Sequence, residues 1–384
     1  MTTLFWVCAG LLVYTYFAYP GLLWLLTVGR KVSRPDVPVE WPAVSVIIAA
    51  YNEVLVIRDK LENALSLDYP DQRLQIIVVS DCSDDGTDEI VKEFAEGGVV
   101  LERTANRSGK TVAQNTGVKR ADGDILVFSD ANSMYDSSAL RELVRALEDH
   151  CVGCVCGELT YLNPEDRSAG RGEGLYWRYE QFLKRRESIL SSLVGANGAI
   201  YAVRKELFED LTADMISDLV MPLRVWRRGT RVTYVPEALA YENTTHSFAE
   251  EFRRRKRIVA RSLNGLMSQI AVLNPLKGMF ALQVFSHKVL RWAVPFILLT
   301  ALVSSGLRLE EPLYATMFWI QAGFYALALL GAVVPDRIAR LSFLYVATYF
   351  CAVNLGAFFG VLSFISGSRY AVWQPTRRSD AEEG

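Results

Sequence analysis

The sequence predicts an α/β domain with a mostly parallel, Rossmann-like sheet, inserted between α-helical transmembrane segments. Three observations predict it. Apolar residues gather at both ends of the 384-residue chain, which is 51% hydrophobic with a mean hydropathy of +0.16, too apolar for an ordinary soluble enzyme. The charged middle alternates short β-branched runs with helical stretches, the pattern of right-handed βαβ units. Short oxygen-bearing side chains stand where those runs end, at the carboxyl edge where such sheets bind ligands.

In chain order, residues 4–28 are almost free of charge. At ~1.5 Å rise per residue they cross a hydrocarbon core of about 30 Å. The start Met1-Thr2-Thr3 carries no positive charge, which favours a retained helix over a cleaved signal peptide. Arg30, Lys31 and Arg34 then assign that side to the cytoplasm and the N-terminus to the outside. Residues 1–30 are therefore expected as a membrane helix and 31–270 as a cytosolic domain. Residues 271–291 follow as an interfacial amphipathic helix, 292–367 as membrane helices and 368–384 as a polar tail.

Within the domain, the apolar run 44–50 reads as a buried strand closed by Tyr51, Asn52 and Glu53. Strands 74–80, 99–102 and 124–129 alternate with helices 56–67, 87–95 and 110–119. Cys151, Cys154 and Cys156 alternate as in a buried strand that uses Cys as a small hydrophobe, and no second ligand pair stands at a zinc spacing. Runs 289–307, 313–334 and 341–365 each fit a membrane span. Lys277, His287, Lys288 and Arg291 punctuate 276–291, which suits an amphipathic helix at the interface. One span before the domain and three after it put the tail outside, whereas Arg369, Arg377 and Arg378 favour the inside. Asn354, Gly356 and Gly360 leave a re-entrant path open for 341–365.

The net charge is −2, so no nucleic acid or other polyanion is implied as a partner. The sharpest chemical signal is Val-Phe-Ser-Asp130-Ala-Asn132, a buried strand ending in two oxygen ligands. Residues i and i+2 of a strand point to one side, so a single Mg²⁺ or Mn²⁺ fits between them and shares its shell with phosphates. Asn52, Glu53 and Asp81 end other strands of the same sheet, which makes one crevice of all of them. Gly195 and Gly198 permit close backbone approach to a ligand or serve a tight turn.

Four motifs then occur in order: Val44-Ser-Val-Ile-Ile-Ala-Ala-Tyr-Asn-Glu, Ile76-Ile-Val-Val-Ser-Asp-Cys-Ser-Asp-Asp-Gly-Thr, Gly109-Lys110 with Asn115-Thr-Gly, and Phe128-Ser-Asp-Ala-Asn. Together they resemble glycosyltransferase family 2, inverting enzymes of the GT-A fold that use nucleotide sugars. The resemblance implies that Ala50, Tyr51, Glu53 and Asp81 hold the nucleobase and ribose, with Lys110 near the nucleotide. It makes Asp130 and Asn132 the metal-binding element, with Asn in place of a second Asp. It assigns Gly195, Ala196 and Asn197 to the acceptor side and Asp218 to the role of base. Asp84, Asp85 and Asp218 also suit plain turn and helix-capping roles. Arg254 and Arg257 match the spacing of a (Gln/Arg)-x-x-Arg-Trp motif that meets the departing diphosphate, with Ile258 where the Trp stands. Trp373-Gln-Pro-Thr-Arg resembles an acceptor-side gating element of polysaccharide synthases.

The implied protein sits in a bacterial inner membrane with its catalytic domain in the cytosol and membrane lipids around it. It moves a sugar from a nucleotide-sugar donor, expected as a UDP-sugar, to a hydroxyl of an exported polysaccharide. A glycolipid synthase that adds one sugar to a lipid acceptor is the alternative, and an inactive membrane scaffold the second. The sequence names no protein partner, sugar or linkage.

Overall fold

The computed structural model of the protein describes residues 1–30, 35–162, 169–243, 248–334 and 342–372. The middle of the chain carries an eight-stranded sheet: β1 (Val44–Ala50), β2 (Leu74–Ser80), β3 (Val99–Arg103), β4 (Ile125–Asp130), β5 (Met134–Tyr135), β6 (Val152–Leu162), β7 (Ile200–Arg204) and β8 (Arg231–Asn243), in the spatial order β3-β2-β1-β4-β7-β6-β8-β5. The expected parallel half is there: β1 pairs in parallel with β2 and β4, and β2 with β3. The other half is mixed, since β7 runs antiparallel to both β4 and β6, β6 is parallel to β8, and β5 is antiparallel to β8. Sequence alternation foretold the first half because helices α2 (Ile57–Leu65), α3 (Thr87–Glu93) and α4 (Lys110–Arg120) return the chain each time.

Every residue of β1 is buried. Val46, Ile48 and Ala50 join the core on one face of the sheet, Ile47 and Ala49 the core on the other. Burying each Val or Ile side chain contributes roughly 1.5–3 kcal/mol, so a strand sandwiched on both sides is a rigid platform. Register aligns Ala50 with Ser80 and Ala49 with Asp130, which brings the ends of β1, β2 and β4 to one level. Cys154 and Cys156 lie buried inside β6 while Cys151 is exposed, and among the described residues no three His, Cys, Asp or Glu side chains form a metal cluster. Cys154 and Cys156 pack in the core on one face of the sheet.

Further helices complete the domain: α5 (Ala139–Leu147), α6 (Ala169–Leu190), α7 (Ser217–Arg227) and α8 (Phe248–Ser268). Among the described residues four helices are long and apolar enough to cross a membrane. They are an N-terminal helix (Thr2–Thr27), α9 (Met279–Gly306), α10 (Pro312–Val333) and α11, whose helix runs Ser342–Ile365. The amphipathic helix expected over 276–291 is not a separate element. From Met279 the helix continues through a π turn at Phe285–Val289 into the apolar run, because His287 and Arg291 are satisfied by α6 instead of by water.

That contact is a buried ionic clamp. His287 lies 3.1 Å from Glu180 and 2.9 Å from Glu187 through its two ring nitrogens. Arg291 pairs with Glu180, and the Tyr19 hydroxyl of the N-terminal helix donates to Glu187 at 2.6 Å. Burial alone pushes the Glu180 carboxyl up, but Arg291 and His287 outweigh it and hold the group well below the usual carboxylate range. Elsewhere, α11 packs on α8 through Gly356 and Gly360. A Cβ at Gly356 would stand 2.9 Å from the Phe252 carbonyl, and one at Gly360 2.8 Å from the Lys256 carbonyl. This is the small-xxx-small spacing that lets two backbones approach.

Candidate active site

The strand ends are locked together before any ligand arrives. Asn52 (φ 54°) and Cys82 (φ 64°) are the non-glycine residues with left-handed backbone among those described, and such strain persists only where the surroundings enforce it. Here the Asn52 side chain donates to Asp84 at 2.7 Å and accepts from the Asp84 N–H at 3.0 Å. Asp85 accepts from the Val54 N–H at 3.0 Å and from the Thr87 hydroxyl at 2.6 Å. The plain turn and capping roles of Asp84 and Asp85 therefore hold.

Asp81 is fully buried and its two oxygens are occupied by the loop ahead of α4. One accepts from Ser108 N–H at 2.8 Å and from the Thr104 hydroxyl at 3.1 Å, the other from Gly109 N–H at 2.8 Å. Asp81 thereby ties the loop ahead of α4 to the end of β2. Ala50 is buried, and its carbonyl accepts from the Asp81 N–H. The Glu53 N–H donates to Thr87. The Tyr51 ring stays half-buried and carries the Arg107 guanidinium 3.8 Å from its centroid, a cation–π cover that sequence reasoning missed.

The chemistry converges on Gly198. Lys110, the first residue of α4, ion-pairs with Asp130 at the end of β4 and donates to the Gly198 carbonyl at 3.3 Å. A Cβ at Gly198 would meet the Lys110 ammonium at 3.0 Å and the Asp218 carboxylate at 3.2 Å. A side chain there would press both groups aside by a few tenths of an ångström. Asp218 is half-buried in the first turn of α7, where the positive end of the helix favours a carboxylate. Its backbone carbonyl accepts from the Ala196 N–H at 2.7 Å, which fixes the 194–198 loop against it. Asn197 is buried, its oxygen taken by Lys184 and its amide donating to the Gly157 carbonyl at 3.0 Å. It shapes that loop from beneath.

Arg261, which the sequence left without a role, pins the segment leading into Asp218. It donates to the Thr111 hydroxyl at 2.8 Å and to the carbonyls of Ala213 and Met215. Burial, with the charge of Arg257, pushes its pKa down to about 10. A signal was present: Arg261 follows Arg257 by four residues, on one face of a helix.

Asp130 and Asn132 are both half-exposed, but β4 ends at Asp130 and Asn132 stands in the turn after it, so strand alternation does not fix its direction as the sequence suggested. Behind them Glu242 is linked to the Ser133 hydroxyl. Burial raises its pKa and the Asp130 charge adds to that. Asp130 and Asn132 carry oxygen donors and the Glu242 carboxylate lies within electrostatic reach of Asp130, a donor set that would suit a hard cation completing its shell with phosphate once Lys110 leaves Asp130. Buried Lys60 bonds the Ser133 carbonyl below this edge, and burial pushes its pKa down to about 7. Glu242 and Lys60 lie far from Asp130 in sequence, so no local spacing announces them.

On α8, Arg254 is engaged by Tyr161 and lies 3.8 Å from Glu251. Arg257 is half-buried and makes no ion pair among the described residues, and burial together with Arg254 lowers its pKa. The two differ in kind: Arg254 is spent and Arg257 is available. Trp373 lies outside the described residues. Just before it, Arg369 is 3.7 Å from Asp214, and a Cβ at Gly109 would collide with the Ala371 carbonyl.

Asp218, Lys110 and Asp130 thus meet around Gly198, with Asn132 just past the end of β4 and Arg257 on α8. Residues 45–212 match the family described as Glycosyl transferase family 2, so this stretch of the chain is a domain of that family. It is 28% identical over 278 residues to "Probable glycosyltransferase YdaM" of Bacillus subtilis, covering 66% of this chain and 63% of that protein. It is 27% identical over 237 residues to the Poly-beta-1,6-N-acetyl-D-glucosamine synthase of Staphylococcus aureus, covering 58% of this chain and 56% of that one. The chain thus spans less than two thirds of either relative. The solved structure of the mannosyltransferase PcManGT from Pyrobaculum calidifontis, in complex with GDP-Man and Mn2+, superposes with a TM-score of 0.70 at 24% identity, over 95% of this chain and 100% of that one. The fold is shared with it.

Proposed function

We propose that this protein is a membrane-embedded inverting glycosyltransferase, which moves a sugar from a nucleotide diphosphate sugar to a hydroxyl acceptor at the cytosolic membrane face. The observation that carries the reading is the meeting of Asp218, Lys110 and Asp130 around Gly198. Inversion needs one base on the acceptor side. Asp218 takes the acceptor's hydroxyl proton, that oxygen bonds the anomeric carbon, and the bond from this carbon to the diphosphate oxygen breaks on the opposite face. Arg257 meets the charge that develops on the diphosphate, as an arginine free of carboxylates can. Lys110 joins it by turning from Asp130. Mg²⁺ or Mn²⁺ held by Asp130 and Asn132 would supply Lewis-acid neutralisation of the same diphosphate.

A polysaccharide product is supported by the relationship to the Poly-beta-1,6-N-acetyl-D-glucosamine synthase, and a UDP-sugar remains our expected donor beside the GDP-sugar of the mannosyltransferase neighbour. The glycolipid alternative is supported by Ile258, which leaves no aromatic ring there for stacking a polymer. Of the four apolar helices, our reading takes three as crossings. The N-terminal helix, α9 and α10 return the chain to the cytosolic side. α11 then starts there, packs along α8 and leads to Arg369 and Ala371 against the catalytic domain, so it lies along the inner leaflet.

The test is purified full-length protein with labelled UDP- and GDP-sugars and a bacterial lipid extract, with and without EDTA, followed by size analysis of the product. The reading expects nucleotide diphosphate release coupled to transfer and abolished by EDTA. Turnover indifferent to chelation, or none with any donor, would overturn it.

A further inference from the structure

Beside the 194–198 loop, on the side away from Asp130, two lysines stand without carboxylate partners. Lys184 of α6 is buried, and its ammonium bonds Asn197. Lys288 of α9 reaches over Gly195, its Cε 3.6 Å from where a Cβ would stand, with the Asp218 carbonyl also 3.6 Å from that point. The acids nearby are already engaged: Glu180 by Arg291 and His287, Glu187 by His287 and Tyr19. Among the described residues neither lysine makes an ion pair; Lys288 lies within electrostatic reach of Glu180 and Glu187 as well as of Lys184 and Arg291. Taking two such cations out of bulk water is costly unless an anion joins them.

Depth narrows what that anion is. Counting back from Gly306, Lys288 lies about 27 Å along α9 at ~1.5 Å per residue, close to the ~30 Å hydrocarbon thickness. Its ammonium therefore sits at the level of lipid phosphates, while the donor's diphosphate belongs at Asp130 and Arg257 across Gly198. We propose that Lys184 and Lys288 form an acceptor-anchor site, which holds the phosphate or diphosphate of a lipid-linked acceptor so that a hydroxyl of the attached glycan or polyol reaches Asp218. This deepens the proposed function and rests on it.

The test compares two synthetic acceptors with the full-length protein in nanodiscs: one sugar linked to a polyprenyl chain through diphosphate, and the same sugar as a neutral alkyl glycoside. Wild type should show a KM at least tenfold lower for the diphosphate-linked acceptor. Lys288→Gln should raise that KM about tenfold with the donor KM moved less than twofold, and Lys288→Arg should restore most of the effect. Lys184→Gln should act in the same direction, with intact folding checked by thermal melting. Equal KM for the two acceptors, or a Lys288→Gln change that raises both equally, overturns the inference. Inorganic pyrophosphate that competes through Lys288, without preference for the lipid-linked acceptor, identifies a free-anion site and overturns it too. Failure of the underlying function looks different: no donor turnover with either acceptor, and no slow donor hydrolysis.

Discussion

Gly198 is where a single added carbon does most damage to chemistry and least to folding. Gly198→Ala puts a methyl group against the Lys110 ammonium and the Asp218 carboxylate. Transfer assays should show a fall of at least tenfold in kcat, with thermal stability changed by less than about 1 kcal/mol, since the lysine end is flexible. At Arg257 the expected change is of another kind. Arg257→Met removes charge offered to the leaving group and should lower kcat by about 10²-fold, whereas Arg254→Met should mainly loosen the packing around Tyr161 and Glu251. Kinetics of the two variants side by side checks this division, which the shared spacing motif does not announce. What the sequence made legible at this scale was the residue types at strand ends, because strand periodicity fixes where a side chain points. It hid the partners. Asp81 reads as a ligand-facing acid, yet three donors from a later loop fill its oxygens. Such contacts depend on tertiary closure.

At the scale of elements, two interfaces join the catalytic domain to its apolar helices. In the α6–α9 clamp, Arg291→Met leaves Glu180 buried with His287 as its remaining partner, and should cost roughly 3 kcal/mol by thermal or denaturant unfolding. The sign of the pH effect follows from Glu180, whose pKa is depressed in the folded protein. Its stabilisation is present above the ordinary value of 4.5 and is lost as pH falls through the depressed value. Melting curves between pH 7 and 3 should show that loss in wild type and a flatter profile in Glu180→Gln. At the α8–α11 interface, Gly356→Val overpacks a backbone contact and should cost about 1–3 kcal/mol, with activity falling as α8 moves Arg257. The parallel half of the sheet was readable because each strand is followed by its own helix. The mixed half was not, since β6, β7 and β8 pair across segments as long as α6 and α7. The 276–291 stretch carries the charge pattern of a surface helix, yet Glu180 and Glu187 satisfy it inside the protein.

At the scale of the whole molecule, hydropathy counts four apolar helices and no more than that. After α11 the chain returns to Asp214 and Gly109, and the proposed topology of three crossings puts the basic tail on the cytosolic side. A single cysteine added at the C-terminus should accordingly react with a membrane-impermeant maleimide only in inverted vesicles. Labelling in intact cells would restore the fourth crossing. The account as a whole turns on Asp218 as the one base, acting on an acceptor brought to the membrane-facing side of Gly198. The most direct test is the transfer rate of Asp218→Asn with donor affinity measured on the same protein. The account predicts a loss of about 10²–10⁴-fold in transfer with the donor Kd unchanged within twofold. Transfer at a near wild-type rate would contradict it.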